Sequence, residues 1–411
     1  MTRQATRGRP KLAALPGVQS VRRPVTSASG EHFDLYYART GPAGGPPVVI
    51  IPGGPGMASI ASYPGLRKRM AAMGLDVIMV EHRGVGLSRR GDTGVDLPAD
   101  ALTIEQVVDD IEAVLDDAGV GTAVVYGASY GSYLAAGMGV RHPSRVRAMV
   151  LDSPLLNRDD FDLVRRHCRE LFWHADTTVA AKVRALSETG RLVPEDLSMA
   201  SAIYGVGGPD LLERHLDLLL DGRSGLWTAM RRITRYAARQ KVPYHHEADL
   251  VGPIGFRELN FAGTPDGLPL DTTLTWRGVP GADTPFTGEP FDLIAELPEF
   301  HWPTVVVSGD RDLVTPTPVA ERIAELAPAA TLVRLPTAAH SILDTREPAA
   351  LRIVAEVTAG CAAGLSVDGA MLDRLPARPE LKLMGWAVAG VAWGERLIPA
   401  LVGRRVAAIM S

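Results

Sequence analysis

The sequence predicts an α/β protein, a mostly parallel, doubly wound sheet with an inserted, mainly helical cap domain. Three observations predict it. Short runs such as Val48-Val49-Ile50-Ile51 and Val77-Ile78-Met79-Val80 are apolar at every position, as in strands covered on both faces. They alternate with helix-period segments, which points to a parallel sheet wrapped by helices. Two further runs of this kind, over 146–152 and 304–308, are separated by a stretch too long for a loop.

In chain order, Val18-Gln19-Ser20-Val21 and His32-Phe33-Asp34-Leu35 alternate apolar with polar residues and read as two half-buried strands joined by a turn. Buried strands follow over 47–51 and 76–80. The segment 103–117 is an amphipathic helix, with Thr103 as N-cap and Ile104, Val107, Val108, Ile111 and Leu115 on one face. A strand over 123–128 runs into a small-residue helix, and a strand over 146–152 follows. Beyond the insertion come a strand over 304–308, a helix over 318–326 and a strand over 331–335. The expected division is a disordered basic tail over 1–17, a core over 18–156 and 303–365, a cap over 157–302 and an apolar extension over 366–411.

With 46% hydrophobic and 22% charged residues the chain has the composition of an ordinary soluble globular protein. A net charge of -4 gives no electrostatic footprint for nucleic acid, and none is expected as a partner. Cys168 and Cys361 are too few for a disulfide framework or a zinc site, suit a reducing compartment, and are expected to be buried thiols. No metal or cofactor is implied. Arg3, Arg7, Arg9 and Lys11 are not followed by the apolar stretch of a secretory signal, so the expected location is cytoplasmic. No run reaches the ~18 apolar residues of a membrane span. From Pro379 the chain is apolar and glycine-interrupted, with Trp386 and Trp393 among Lys382, Arg396, Arg404 and Arg405. That pattern suits an interfacial segment or helices packed on the core or on a second chain. Packing is the expectation.

The chemistry concentrates at Gly127-Ala128-Ser129-Tyr130-Gly131, a G-x-S-x-G pattern between strand and helix. Such a turn pushes the serine out above the sheet and sets the first N–H groups of the helix beside it. Asp312 and His340 each follow a later strand, and His340 is the one histidine downstream of Asp312. A serine needs a base to take its proton, and the base needs a carboxylate to hold its tautomer. The order Ser129, Asp312, His340 is that of an α/β-hydrolase. Two other carboxylates compete for the acid role. Asp310 lies on the same loop, where bracing it is the simpler role, and Asp152 ends the preceding strand, where it can satisfy backbone N–H groups. The expected oxyanion hole combines the N–H of Tyr130 with one from the Gly53-Gly54 turn, assigned to Gly54.

Three motifs, Pro52-Gly53-Gly54-Pro55-Gly56, His82-Arg83-Gly84-Val85-Gly86-Leu87-Ser88 and Gly127-Ala128-Ser129-Tyr130-Gly131-Ser132, resemble the prolyl aminopeptidase (proline iminopeptidase) branch of the α/β-hydrolases, which also contains tripeptidyl aminopeptidases. Pro52 departs from that family's histidine and Glu81-His82 from its Asp-Gln, changes that leave Ser129, Asp312 and His340 untouched. The resemblance implies release of an N-terminal residue, often proline, from small peptides, with cap carboxylates binding the free ammonium group. Phe256-Arg257-Glu258-Leu259-Asn260-Phe261 resembles the family's glutamate-bearing helix, which makes Glu258 the candidate anchor and Gly53 a further substrate contact. Trp173, Trp227, Tyr244, Trp276 and Trp302 are candidates to line a proline-sized pocket, or ordinary cap packing. The expectation is a serine hydrolase acting as an aminopeptidase. Alternatives are a carboxylesterase or lipase-like hydrolase of small esters, and a ligand-binding protein on a hydrolase scaffold. Epoxide hydrolysis is disfavoured, because that chemistry uses an aspartate where this chain has Ser129.

Overall fold

The computed structural model describes residues 11–381, except 239, 240, 277, 278 and 280, together with 383, 385 and 390. The tail over 1–10 and the tryptophan-bearing part of the C-terminal extension lie outside the described residues. The core elements, in chain order, are β1 (Val18–Pro24), β2 (His32–Thr40), β3 (Pro47–Ile51), α1 (Pro64–Ala72), β4 (Asp76–Val80), α2 (Ile104–Asp117), β5 (Ala123–Ala128), α3 (Tyr130–Arg141) and β6 (Val146–Asp152). The insertion contributes α4 (Asp160–Arg169), α5 (Thr178–Glu188), α6 (Leu197–Leu220) and α7 (Gly225–Ala238). The core resumes with β7 (Thr304–Gly309), α8 (Thr317–Leu326), β8 (Ala330–Leu335) and α9 (Glu347–Thr358).

The described residues form one eight-stranded sheet in the order β1-β2-β4-β3-β5-β6-β7-β8. β2 runs antiparallel to β1 and β4, and the remaining neighbours are parallel. Both faces are covered. Val49, Ile51, Val125, Leu151 and Val306 pack under α2, α3 and α8. Val48, Ile50, Val124, Val150, Val305 and Val307 pack against α1 and α9. Successive side chains point to opposite faces, so a strand buried on both must be apolar throughout, as the sequence pattern implied. Thr103 caps α2, its side chain accepting from Gln106 N.

The chain passes from β3 to β4 on one side and then to β5 on the other, so the strand order reverses between β3 and β5. At such a reversal the loops leaving the strand ends part and open a crevice. The Gly53-Gly54 turn leaves β3 there, and Ser129 leaves β5.

The insertion has its own apolar cluster, in which Val164, Cys168, Phe172, Leu186, Leu212, Leu216 and Trp227 are buried together. Leu313, from the loop after β7, joins it and ties cap to core. α6 breaks at Gly208-Pro209, where Gly208 has φ 70° and a side chain would meet the Arg311 guanidinium. Cys168 is buried as expected, whereas Cys361 is exposed, because it follows the turn at Gly360 that ends α9. No helix among the described residues is long and apolar enough to cross a membrane.

The loop after β4 is held from below by a buried ion pair. Arg83 Nε and Nη2 each donate to Asp110 on α2 at 2.7 Å, and Arg23 Nε adds a bond of 2.8 Å. Arg83 and Asp110 are 2% and 0% exposed, so removing one partner strands a charge in the core. Asp110→Ala is expected to lower stability by about 3–5 kcal/mol. Urea unfolding checks this through a lower midpoint at unchanged slope; a loss under ~1 kcal/mol would mean that water reaches Arg83.

Candidate active site

Ser129 has φ 53° and ψ −124°, a strained turn between β5 and α3. Close approach explains the flanking glycines. A Cβ on Gly127 would lie 2.1 Å from Gly131 O, and one on Gly131 would lie 2.3 Å from Ile51 O. Strand, turn and helix therefore fold tightly over the end of β3, and a Cβ on Gly53 would lie 3.2 Å from Ser129 Cβ. Ser129 N donates to Asp152 O at 2.8 Å, and Ser132 Oγ donates to Ser129 O at 2.6 Å. Tyr130 is the first residue of α3, where a backbone N–H has no acceptor within the helix. Gly54 lines the same cavity as Ser129.

The structure brings Ser129, His340 and Asp312 into one line. His340 Nε2 lies 2.9 Å from Ser129 Oγ, and His340 Nδ1 lies 2.8 Å from Asp312 Oδ2. Asp312 is buried; its Oδ1 accepts from Val314 N at 2.8 Å and Thr315 N at 3.0 Å, and its Oδ2 accepts from Thr315 Oγ1 at 2.9 Å. Burial pushes the Asp312 carboxyl up, but His340 and these amides outweigh it and hold the group below the usual range. For His340, burial opposes the charge and facing Asp312 favours it; the net effect raises the imidazole above its usual value.

The competing carboxylates are engaged elsewhere. Asp310 Oδ1 accepts from Arg334 Nε at 3.1 Å and Thr317 Oγ1 at 3.3 Å. Asp152 accepts from Ile342 N at 3.1 Å, Leu343 N at 3.0 Å and the Tyr126 hydroxyl at 2.8 Å. It therefore satisfies N–H groups just past His340 rather than at its own strand end. Ser153 Oγ accepts from Ser341 N at 2.8 Å and holds the same loop.

Ser129 opens into a cavity of about 300 Å³ between the sheet edge and the cap. Phe161, Trp276, Leu259, Leu313 and Val314 give it an apolar wall. Of the aromatic candidates, Trp276 lines it. Trp227 is buried in the cap core with Trp173 packed against it, Trp302 packs on the sheet core and Tyr244 near Ile60. Glu258 does not line the cavity. Its Oε2 accepts from Ile104 N at 2.8 Å and its Oε1 from Arg257 Nε at 3.0 Å, so its carboxylate braces the start of α2. Glu81, where the resembled family has aspartate, accepts from Ser59 N at 2.7 Å and Ile60 N at 3.0 Å and ties β4 to the segment after the glycine turn. Its neighbour His82 is buried with neither ring nitrogen bonded among the described residues, and burial pushes it down to about 4, which keeps the ring neutral.

Sequence reasoning missed Thr315, which bonds Asp312 and lies 3.3 Å from His340 Nδ1, and Asp160, which faces the cavity from the start of α4. The position of Thr315 three residues after Asp312 was the available signal for the first. Asp160 gave none, standing in an acidic run with Asp159 and Asp162.

A family model described as alpha/beta hydrolase fold matches residues 46–189. A proline iminopeptidase of Neisseria meningitidis is 31% identical over 128 residues, a match spanning 31% of this chain and only 39% of that relative. A probable proline iminopeptidase of Leptolyngbya boryana is 27% identical across 84% of this chain and 98% of its own length. The crystal structure of a proline iminopeptidase from Mycobacterium smegmatis superposes with a TM-score of 0.51 at 18% identity, over 84% of this chain and 99% of that one, a likeness of fold. With the reversed strand order and the strand–serine–helix turn, these matches show that the chain has the α/β-hydrolase fold and is a distant relative of proteins named proline iminopeptidase.

Proposed function

We propose that the chain is a serine hydrolase that releases a small, proline-like N-terminal residue from peptides through an acyl-enzyme on Ser129. The observation that carries this reading is the hydrogen-bonded line Ser129, His340, Asp312 opening into the apolar cavity. His340 Nε2 takes the Ser129 proton as Oγ attacks the carbonyl carbon, and the oxygen that becomes negative faces the N–H groups of Tyr130 and Gly54. Asp312 accepts from Nδ1–H, holds the tautomer and stabilises the imidazolium. His340 then returns the proton to the leaving amine, and water repeats the sequence on the ester. The names of the relatives supply the proline preference, and a cavity of about 300 Å³ suits one ring-sized residue.

A second reading, a carboxylesterase of small apolar acids, is favoured by one observation: Glu258, the expected ammonium anchor, is occupied within the protein. Turnover of proline naphthylamide, its N-acetyl derivative and a short-chain nitrophenyl ester separates the two. Cleavage of the free-amine amide with refusal of the acetylated one is the expected result. Turnover of the ester alone would overturn the aminopeptidase reading and leave the hydrolase.

A further inference from the structure

Between Asp221 and Glu247 the cap carries Arg223, Arg231, Arg232, Arg235, Arg239 and Lys241 with no acidic residue among them, in a chain whose net charge is -4. The helix α7 spans most of this run. Its inner face is apolar, with Trp227 buried in the cap cluster and Met230 packed against it. Arg231 also turns to the cap, where its Nη2 donates to Asp196 Oδ2 at 2.5 Å. The outer face is not the polar one of a helix that merely meets water. Ile233 and Tyr236 are 67% and 68% exposed, and Arg232 is exposed beside them. Residues three and four apart share a helix face, so these three side chains form one patch. Single exposed apolar residues are ordinary. Two on one turn, inside a basic run free of acids, match a helix that lies on an anionic lipid surface. Nucleic acid would satisfy the arginines and leave Ile233 in water. The C-terminal segment repeats the same chemistry. From Leu381 to Ser411 it has Lys382, Arg396, Arg404 and Arg405 against Glu395 alone, together with Trp386 and Trp393, a residue type that favours the headgroup level. Its start lies on the cap, where a Cβ on Gly385 would lie 2.9 Å from Val206 Cγ1 of α6. Leu212 and Leu216 of that same helix are buried in one cluster with Trp227 of α7.

We propose that the outer face of α7, with the C-terminal segment as a second contact, docks the protein on an anionic phospholipid membrane. Ile233 and Tyr236 enter the headgroup boundary, and the arginines pair with lipid phosphates. Two weak signals on one domain hold a peripheral protein better than either alone. Charge asymmetry sets the orientation, since the remainder of the chain is more acidic than the whole and is repelled by the same surface. Docking brings the cavity wall within one helix of the lipid, because Arg231 bonds Asp196 and the next residue, Leu197, lines the cavity. The inference does not depend on which substrate Ser129 acts on.

The test sediments the full-length protein with vesicles of pure phosphatidylcholine and of phosphatidylcholine with about 30% phosphatidylglycerol. Wild type is expected to bind the anionic vesicles at least ~tenfold more tightly than the neutral ones, and to lose most of that difference at ~0.5 M salt. The double variant Ile233→Ser, Tyr236→Ser and the single variant Arg232→Glu are each expected to weaken anionic-vesicle binding at least ~tenfold. Their melting temperatures should match wild type, because all three side chains are exposed. Equal binding to both vesicles, or binding to neither, overturns the proposal. Anionic-vesicle binding that both variants keep would belong to the C-terminal segment alone and overturns the assignment of α7. Capture on immobilised poly-glutamate without binding to vesicles reassigns the face to an acidic protein and likewise overturns it. Turnover of amide or ester in solution decides the proposed function separately, and neither result changes what the vesicles report.

Discussion

Ser129→Ala is expected to lower kcat by on the order of 10⁶-fold on every substrate the protein accepts, the scale of loss when the nucleophile of such a site is removed. The expectation rests on local geometry. Ser129 Oγ lies 2.9 Å from a histidine nitrogen, and the hydroxyls of Ser132 and Ser201 are committed. Ser132 Oγ donates to Ser129 O and accepts from Leu155 N. Ser201 Oγ, on the cap side of the cavity, donates to Leu197 O. Alanine meets the same backbone strain as serine at φ 53°, so fold and thermal unfolding should change little. Steady-state rates on the amide and the ester, beside melting curves for both proteins, check this. Retention of activity within ~100-fold in a folded variant would place the nucleophile elsewhere.

Most of the frame was legible in the sequence because its elements obey local rules. β3, β4 and β5 are buried on both faces, so they appear as unbroken apolar runs, and α2 announces itself through Thr103 and one apolar face. Parallel strands end at the same sheet edge, so residues just past β5, β7 and β8 converge whatever the intervening length. That is why Ser129, Asp312 and His340 were readable together. α1 was not, since its Arg67, Lys68 and Arg69 mask its apolar positions. Arg67 nonetheless points inward and donates to Ser59 O at 2.7 Å.

The roles of single carboxylates were the least legible part. Glu258 finds its amide at Ile104, 154 residues earlier in the chain, and that contact exists only once cap and core have docked. Asp160 differs from Asp159 and Asp162 in burial and in nothing local; Asp160 turns under the cap while the other two stay in solvent. A carboxylate on a helix carries no local mark of its tertiary partner, so the sequence could not show that Glu258 turns to the start of α2.

Asp312→Asn is expected to reduce kcat by about 10⁴-fold with the fold retained. Asp312 Oδ1 accepts from the amides of Val314 and Thr315, so the carbonyl oxygen of asparagine is drawn to that side. The NH₂ group then faces His340 Nδ1, which must become the acceptor. The proton moves to Nε2, and Nε2 can no longer take one from Ser129. Asp310→Asn breaks a partly exposed pair with Arg334, costs at most ~1 kcal/mol of stability and leaves turnover within a few-fold. Asp152→Asn weakens the Ile342 and Leu343 anchors and is expected in the melting temperature before the chemistry. The pH profile gives an independent reading. The base works when neutral, so activity falls as pH drops through the His340 pKa. Since Asp312 helps raise that pKa above about 6.5, the wild-type acid limb is expected above this pH. Removing the Asp312 charge should move the limb of the residual activity to lower pH. A 10⁴-fold loss in a stable Asp310→Asn or Asp152→Asn protein, with that limb displaced, would transfer the acid role to that carboxylate.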